Sequence, residues 1–192
     1  MVGGLGSAVL LVTACGLGGS GASAALFDQQ FIDMMVPHHQ AAVEMAKIAQ
    51  QRAERPEVKQ LAGAIIRSQD AEIKQMKEWR KTWYGSDQTP PLNKMPMVPG
   101  MSSGGTQGHN MSGGATTMDM AADVERLGKA GVPFERYFID EMIPHHQSAI
   151  GAAKAAETRA QKPEIKNLAK QIIADQQREI EQMQQWRRSW FG

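Results

Sequence analysis

Two ten-residue stretches concentrate the side chains able to do chemistry: FIDMMVPHHQ from Phe31 to Gln40 and FIDEMIPHHQ from Phe138 to Gln147. Each combines a carboxylate, one or two thioethers, a proline and two adjacent imidazoles within an apolar helical pattern. Residues three and four apart share a helix face, so Met35, His38 and His39 can turn toward one point, as can Met142, His145 and His146. Thioether with imidazole suits a soft monovalent ion, Cu(I) or its mimic Ag(I); carboxylate with imidazole suits divalent copper, zinc or iron. Met34 and Met45 enlarge the first cluster, whereas their counterparts Glu141 and Ala152 do not enlarge the second, so the two sites should differ in softness. Glu72 and Glu179 join the candidate ligands. With Gln69 and Gln176 they are polar residues on an inner stripe of Ile, Met and Trp. Met76 and Met183, at helical spacing on the same stripe, read as core. Trp79, Arg80, Trp83 and their copies read as the closure of a bundle.

A second group of ligand types lies between the stretches. The chain has 13 methionines, and Met95, Met97, Met101, Met111, Met118 and Met120 fall in a segment with no apolar period. Met95-Pro-Met97 and Met118-Asp-Met120 are MxM pairs, and His109 precedes Met111 by two. Such spacing on an extended chain places thioethers on one side, where they can chelate a soft ion. Outside the cytoplasm methionine can serve where cysteine would oxidise.

The elements that position these residues follow from the periodicity. Leu26, Phe27, Phe31, Met34, Met35, His38, Ala42, Met45, Ala46 and Ala49 mark one face of a helix running to about Ala53. Arg55-Pro56 stops it and opens the next, whose apolar face runs from Val58 to Trp83, with Gly85 as C-terminal cap. A helical hairpin results. The pattern recurs 107 residues later: Phe31 to Gly85 and Phe138 to Gly192 align without a gap, with about 30 of 55 positions identical. One such hairpin buries too little apolar surface, whereas two can share a core, so the expected fold is an all-α four-helix bundle of two tandem hairpins. Pro37 and Pro144 precede the histidine pairs. Either they lie inside the first and third long helices, freeing the carbonyls of Asp33 and Asp140, or those helices begin there at no cost. The expected division is residues 26–85 for the first hairpin and 86–118 for a Met/Gly/Ser-rich disordered linker. Residues 119–192 then hold a short helix and the second hairpin.

Composition removes several classes. With 21 Lys and Arg against 20 Asp and Glu the net charge is +1, too little basic excess to grip a phosphate backbone, so no nucleic acid is expected. Cys15 is the one cysteine, which leaves neither a disulfide nor a cysteine-based zinc or iron–sulfur site within the chain. No stretch is long and apolar enough for a permanent membrane helix. The run Ala8 to Val12 followed by Thr13-Ala14-Cys15 resembles the bacterial lipoprotein signal ending in a lipobox. That resemblance implies residues 1–15 as signal peptide, an acylated Cys15, and 16–25 as a flexible tether. The protein would then be lipid-anchored to the outer face of the cytoplasmic membrane, or periplasmic or secreted, touching the membrane through that lipid alone. Without it, the segment reads as a disordered extension.

MMVPHHQAAVEMAKIA and EMIPHHQSAIGAAKAA, each followed by a second-helix pattern ending in EIKQMKEW or EIEQMQQW, resemble the signature of the bacterial family catalogued as domain of unknown function 305. The resemblance covers nearly all of residues 26–85 and 134–192. It implies a ferritin-like arrangement of the four helices, and the family's copper-binding periplasmic members imply Cu(I) and Ag(I) binding through Met and His. The leading expectation is an extracytoplasmic protein that buffers or hands over Cu(I) in copper tolerance without catalytic turnover, with a copper transporter or chaperone as partner. The rivals are a redox enzyme with a di-iron or copper centre drawn from Asp33, His38, Glu72 and their copies, and a structural or sensory interaction module. The Glu-x-x-His pairs typical of di-iron bundles are missing from the sequence.

Overall fold

The computed structural model describes residues 19–98 and 117–192. Five α-helices are formed there: α1 (Gly19–Arg52), α2 (Pro56–Tyr84), α3 (Met120–Gly128), α4 (Phe134–Arg159) and α5 (Pro163–Phe191). A short 3-10 turn, Leu92–Lys94, leads into β1 (Met95–Pro96), which pairs antiparallel with β2 (Thr117–Met118). Pro56 and Pro163 stand at the start of α2 and α5, where a missing N–H costs nothing, and Glu57 and Glu164 sit at the positive helix ends. Gly85 ends α2 at φ 81°, a left-handed conformation that glycine adopts without strain, and its N–H donates to the Lys81 carbonyl at 3.0 Å. The fold is the all-α bundle of two hairpins that the periodicity predicts, in the ferritin-like arrangement that the family resemblance implies.

Pro37 and Pro144 lie inside α1 and α4, which settles the choice left open by the sequence: the helices run through these prolines. With no N–H at residues 37 and 144, the carbonyls of Asp33 and Asp140 lack their helical donor. Two expectations are corrected. The tether is helical from Gly19 onward, because extending a helix already formed by the packed residues that follow costs far less than nucleating one. The linker is ordered at both margins. Met95, Val98, Met118 and Met120 are buried there, since thioether side chains supply the apolar surface that the rest of the segment lacks. Cys15, Met101, His109 and Met111 lie outside the described residues.

α2 packs on α1, α5 on α4, and α1 on α4; α3 and the strand pair lie against α1. The core divides into two apolar clusters. One takes α1 up to Ala41 and α4 from Ala149, with Ile165, Leu168 and Ile172 of α5. The other takes α1 from Ala42 and α4 up to Met142, with Val58, Leu61 and Ile65 of α2. The histidine pairs fall on the seam between them.

The hairpins are tied by contacts that repeat at the 107-residue offset. The Asp28 carboxylate accepts from the backbone N–H groups of Gln161 and Lys162, in the loop between α4 and α5, at 3.0 Å each. Glu135, its counterpart, accepts from Glu54 and Arg55 in the loop between α1 and α2, at 2.6 and 2.9 Å. Both carboxylates are buried. Arg55 lies over the Trp190 ring at 4.1 Å and Lys162 over Trp83 at 4.9 Å; Arg52 covers Phe134 at 4.8 Å and Arg159 covers Phe27 at 4.9 Å. Each hairpin therefore caps and clamps the loop of the other, which fixes α1 and α4 antiparallel. Stacked pairs Trp79–Trp83 and Trp186–Trp190 close the ends, as the sequence suggests.

Replacing Asp28 and Glu135 together by Ala removes the acceptor of two loop N–H groups at each end, and a hydrogen bond to a charged group is worth about 1.5–3 kcal/mol. Thermal denaturation of Asp28→Ala/Glu135→Ala should show Tm falling by several degrees, and Asp28→Asn/Glu135→Gln, which keeps an acceptor oxygen, should lose less. An unchanged Tm in the alanine variant would show that these ties do not hold the hairpins together.

Candidate metal centre

At the middle of the bundle the rings of His38 on α1 and His145 on α4 lie 3.8 Å apart between centroids, tilted by 40°. His39 and His146 flank them, with centroids 6.4 Å from His38 and 6.2 Å from His145 respectively. His38, His39 and His146 have no accessible surface, and His145 is also buried. The two copies thus place their imidazoles on one shared seam, a convergence that the spacing within each copy does not specify.

The outer pair is oriented by carboxylates. His39 Nε2 meets Glu72 Oε2 of α2 at 2.6 Å, and His146 Nε2 meets Glu179 Oε2 of α5 at 2.6 Å. A carboxylate can only accept, so each Nε2 carries a proton, and the neutral ring then keeps its lone pair at Nδ1. His38 reaches the same state by another route. The Ser148 hydroxyl donates its one proton to the His145 carbonyl at 2.8 Å, so it accepts from His38 Nε2–H, also at 2.8 Å. Ser148 replaces Ala41 of the first copy and breaks the symmetry. The sequence offered that signal as one hydroxyl in an otherwise repeated PHHQ-x-A run, and the candidate residues did not include it.

Most of the unmet side-chain polarity described in the interior belongs to the four imidazoles. Among the described residues, the buried side-chain N and O atoms without a hydrogen-bond partner are the Nδ1 atoms of His38, His39, His145 and His146, Nε2 of His145, both amide atoms of Gln69, and Oε1 of Gln176. Each such atom costs about 1–3 kcal/mol when left bare, and none belongs to the flanking apolar clusters. Imidazoles that donate one nitrogen to a carboxylate and present the other as a lone pair are the usual metal-ligating form. The donor set therefore fits a metal, with Met35 and Met142 on the same helix faces one turn before the histidines.

The other candidates are distributed differently. Met34 and Met35 belong to the first apolar cluster, Met45 and Met142 to the second, so Met34 and Met45 pack on opposite sides of the seam. Met95 and Met118 are paired across the two strands, Met97 follows β1, and Met120 opens α3. Glu72 and Glu179 are engaged by imidazoles. Asp33 is held by Arg80 through Nε at 2.5 Å, and Asp140 by Arg187 through Nε at 2.5 Å. The Asp33, His38 and Glu72 set of the redox reading is thus not brought together: Asp33 spans α1 to α2 through its arginine instead. Among the described residues no three His, Cys, Asp or Glu side chains form a ligand group by themselves, so a complete set requires thioether or amide donors as well. Glu141, the counterpart of Met34, pairs with Arg126 of α3 at 2.9 Å.

Comparison with known proteins agrees with this architecture. The chain belongs to the family described as Domain of unknown function (DUF305), whose match spans residues 28–187. It is similar to the solved structure of CopM in the Cu(I)-bound form, at 41% identity over 86% of this chain and 98% of that one, with a TM-score of 0.64. CopM has also been solved in a Ag-bound form, at 41% identity, over the same shares and with the same score. A putative secreted DUF305 protein from Streptomyces coelicolor is 30% identical over 82% of this chain and 89% of its own, with a TM-score of 0.62. Uncharacterized protein L153 of Acanthamoeba polyphaga mimivirus is 45% identical over 49 residues, which is 26% of this chain and 32% of that protein.

Burial holds His38 and His145 well below the usual imidazole pKa, and the neighbouring imidazoles push further in the same direction. The nearby His38 main chain opposes the shift at His145 without supplying the ring a hydrogen bond. In the unfolded chain both titrate near the ordinary value of about 6.5. The unfolded state therefore binds more protons below that pH, and stability that is complete above it is lost as pH falls, by at most about 1.4 kcal/mol per pH unit for each ring. Melting curves of the metal-free protein should show Tm level above about pH 7 and declining toward pH 5, and His38→Gln/His145→Gln should flatten that decline. A slope unaltered by the double substitution would place its origin elsewhere.

Proposed function

We propose that this protein binds copper outside the cytoplasm, as Cu(I) with Ag(I) as its mimic, and buffers or hands over the ion without catalytic turnover. The observation that carries this reading is the set of buried Nδ1 lone pairs on imidazoles already oriented by Glu72, Glu179 and Ser148. Its likeness to CopM, solved with Cu(I) and Ag, supports the choice of metal. Any one ion takes at most two nitrogen donors from His38, His39, His145 and His146, and Met35 and Met142 supply the thioethers that favour a monovalent soft ion over zinc or iron. Glu72 and Glu179 act as orienting residues that raise imidazole basicity rather than as ligands.

The resemblance of the run ending at Cys15 to a lipoprotein signal, and the likeness to a relative described as a putative secreted protein, support the extracytoplasmic placement. The ion would pass to or from a copper transporter or chaperone. Among the described residues no helix is long and apolar enough to cross a membrane; the anchor we propose is a lipid on Cys15.

Competition titration of the full chain with Cu(I) against a chelator of known affinity tests the reading. His38→Ala/His145→Ala should weaken binding while leaving helicity nearly intact. Glu72→Gln/Glu179→Gln should keep the number of ions bound and lower affinity by about 10–100-fold, the range seen when outer partners of metal-bound histidines are removed. Copper affinity unchanged in a folded histidine variant would sink the proposal.

A further inference from the structure

The short strand pair assembles thioethers from three separate chain positions. Met95 and Met118 are direct cross-strand partners in the antiparallel β1–β2 pair, a placement that sets Cβ atoms about 4.5–5.5 Å apart. Asp119 is extended, at φ −103° and ψ 92°, so Met118 and Met120 fall on the same side of the chain. Burial follows that alternation: Met118 and Met120 are buried and Asp119 is exposed. Met95, Met118 and Met120 share one apolar cluster with Met34 of α1, and Met97 is partly buried at its edge.

Packing does not by itself call for this selection. Leu and Ile lose less rotamer freedom on burial than Met and specify a core more sharply. Yet of the side chains that β1, β2 and their flanks bury (Met95, Val98, Met118 and Met120), all but one are thioethers. The repeat supplies an internal control. Met34 packs in this cluster, whereas its counterpart Glu141 pairs with Arg126, and no strand pair is described beside the second hairpin. Thioethers therefore gather where the first helix meets the strands. Neutral, polarisable sulfur donors select monovalent soft cations and leave divalent hard ones unbound.

We infer that Met95, Met118 and Met120, with Met34 as a fourth thioether, form a second metal site for a soft monovalent cation, Cu(I) or Ag(I). It is built from residues other than the imidazole centre and is present beside the first hairpin. Binding there draws donors from α1, both strands and α3 onto one ion, and so staples the strand pair to the bundle. The site stands on its own geometry and does not depend on the imidazole reading.

Titrating Ag(I) into the full chain labelled with carbon-13 at the methionine methyls tests it. The methyl signals of Met34, Met95, Met118 and Met120 should shift together, whether or not His38→Ala/His145→Ala is present. Met95→Leu/Met118→Leu should bind one Ag(I) fewer per chain while its histidine ring signals respond as in the parent. Methionine signals that stay fixed while the histidine rings respond would overturn this site and leave the imidazole centre standing. The reverse result would do the opposite. Should the leucine variant fail to fold, the methyl shifts of the parent chain decide alone.

Discussion

Four imidazoles buried on one seam are the constraint that the rest of the bundle has to satisfy. A centroid separation of 3.8 Å between the His38 and His145 rings in a dry core is tolerable only while both rings are neutral, since two adjacent cations without solvent would repel strongly. The surroundings favour that state. Burial lowers both pKa values, Ser148 fixes the His38 tautomer, and Glu72 and Glu179 take the outer nitrogens of His39 and His146. What is left over is a set of lone pairs with no protein partner, in a place where water is largely excluded. Such a core is poorer than an apolar one by several unmade hydrogen bonds, and a bound ion is the natural way to use them.

Holding the seam closed falls to the contacts at the two ends. Asp28 and Glu135 each satisfy a pair of loop amides from the opposite hairpin, and Arg55 and Lys162 cover the tryptophans of the opposite hairpin. The ties are reciprocal, so neither hairpin can shift without stranding buried polar groups at both ends. Within each hairpin Asp33 with Arg80, and Asp140 with Arg187, join the paired helices close to the proline turn. Polar groups thus set the register of the four helices, while the two apolar clusters supply the burial that favours folding.

The duplication has diverged where chemistry differs. Ser148 for Ala41 links the two facing histidines on one side only. Met34 against Glu141 decides whether the outer surface of the helix accepts a thioether cluster or an ion pair with α3. Met45 against Ala152 changes the filling of the second apolar cluster but adds no donor at the seam. The prolines have not diverged. Both sit inside long helices, at a position that ordinarily costs about 3 kcal/mol, and both leave the carbonyl of an arginine-bound aspartate free one turn before the histidine pair.

Local pattern determined much of this protein. The 3.6-residue period gives the four long helices, Pro56, Pro163 and Gly85 give their ends, and the repeat gives the two-hairpin plan, because each of these depends on neighbours within a few residues. The identity of the reactive side chains was legible for the same reason. Tertiary structure alone decided how they are used. That His38 meets His145, that Glu72 and Glu179 orient rings, that Asp33 serves Arg80, and that Asp28 and Glu135 cap distant loops all depend on which helix faces meet. The segment read as a disordered linker shows the same limit. Its margins have no period to detect, and Met95 and Met118 became core only when pairing brought them to α1. Periodicity reports a helix's faces, but the partner of each face is chosen by packing across more than a hundred residues of chain, and no local spacing encodes that choice.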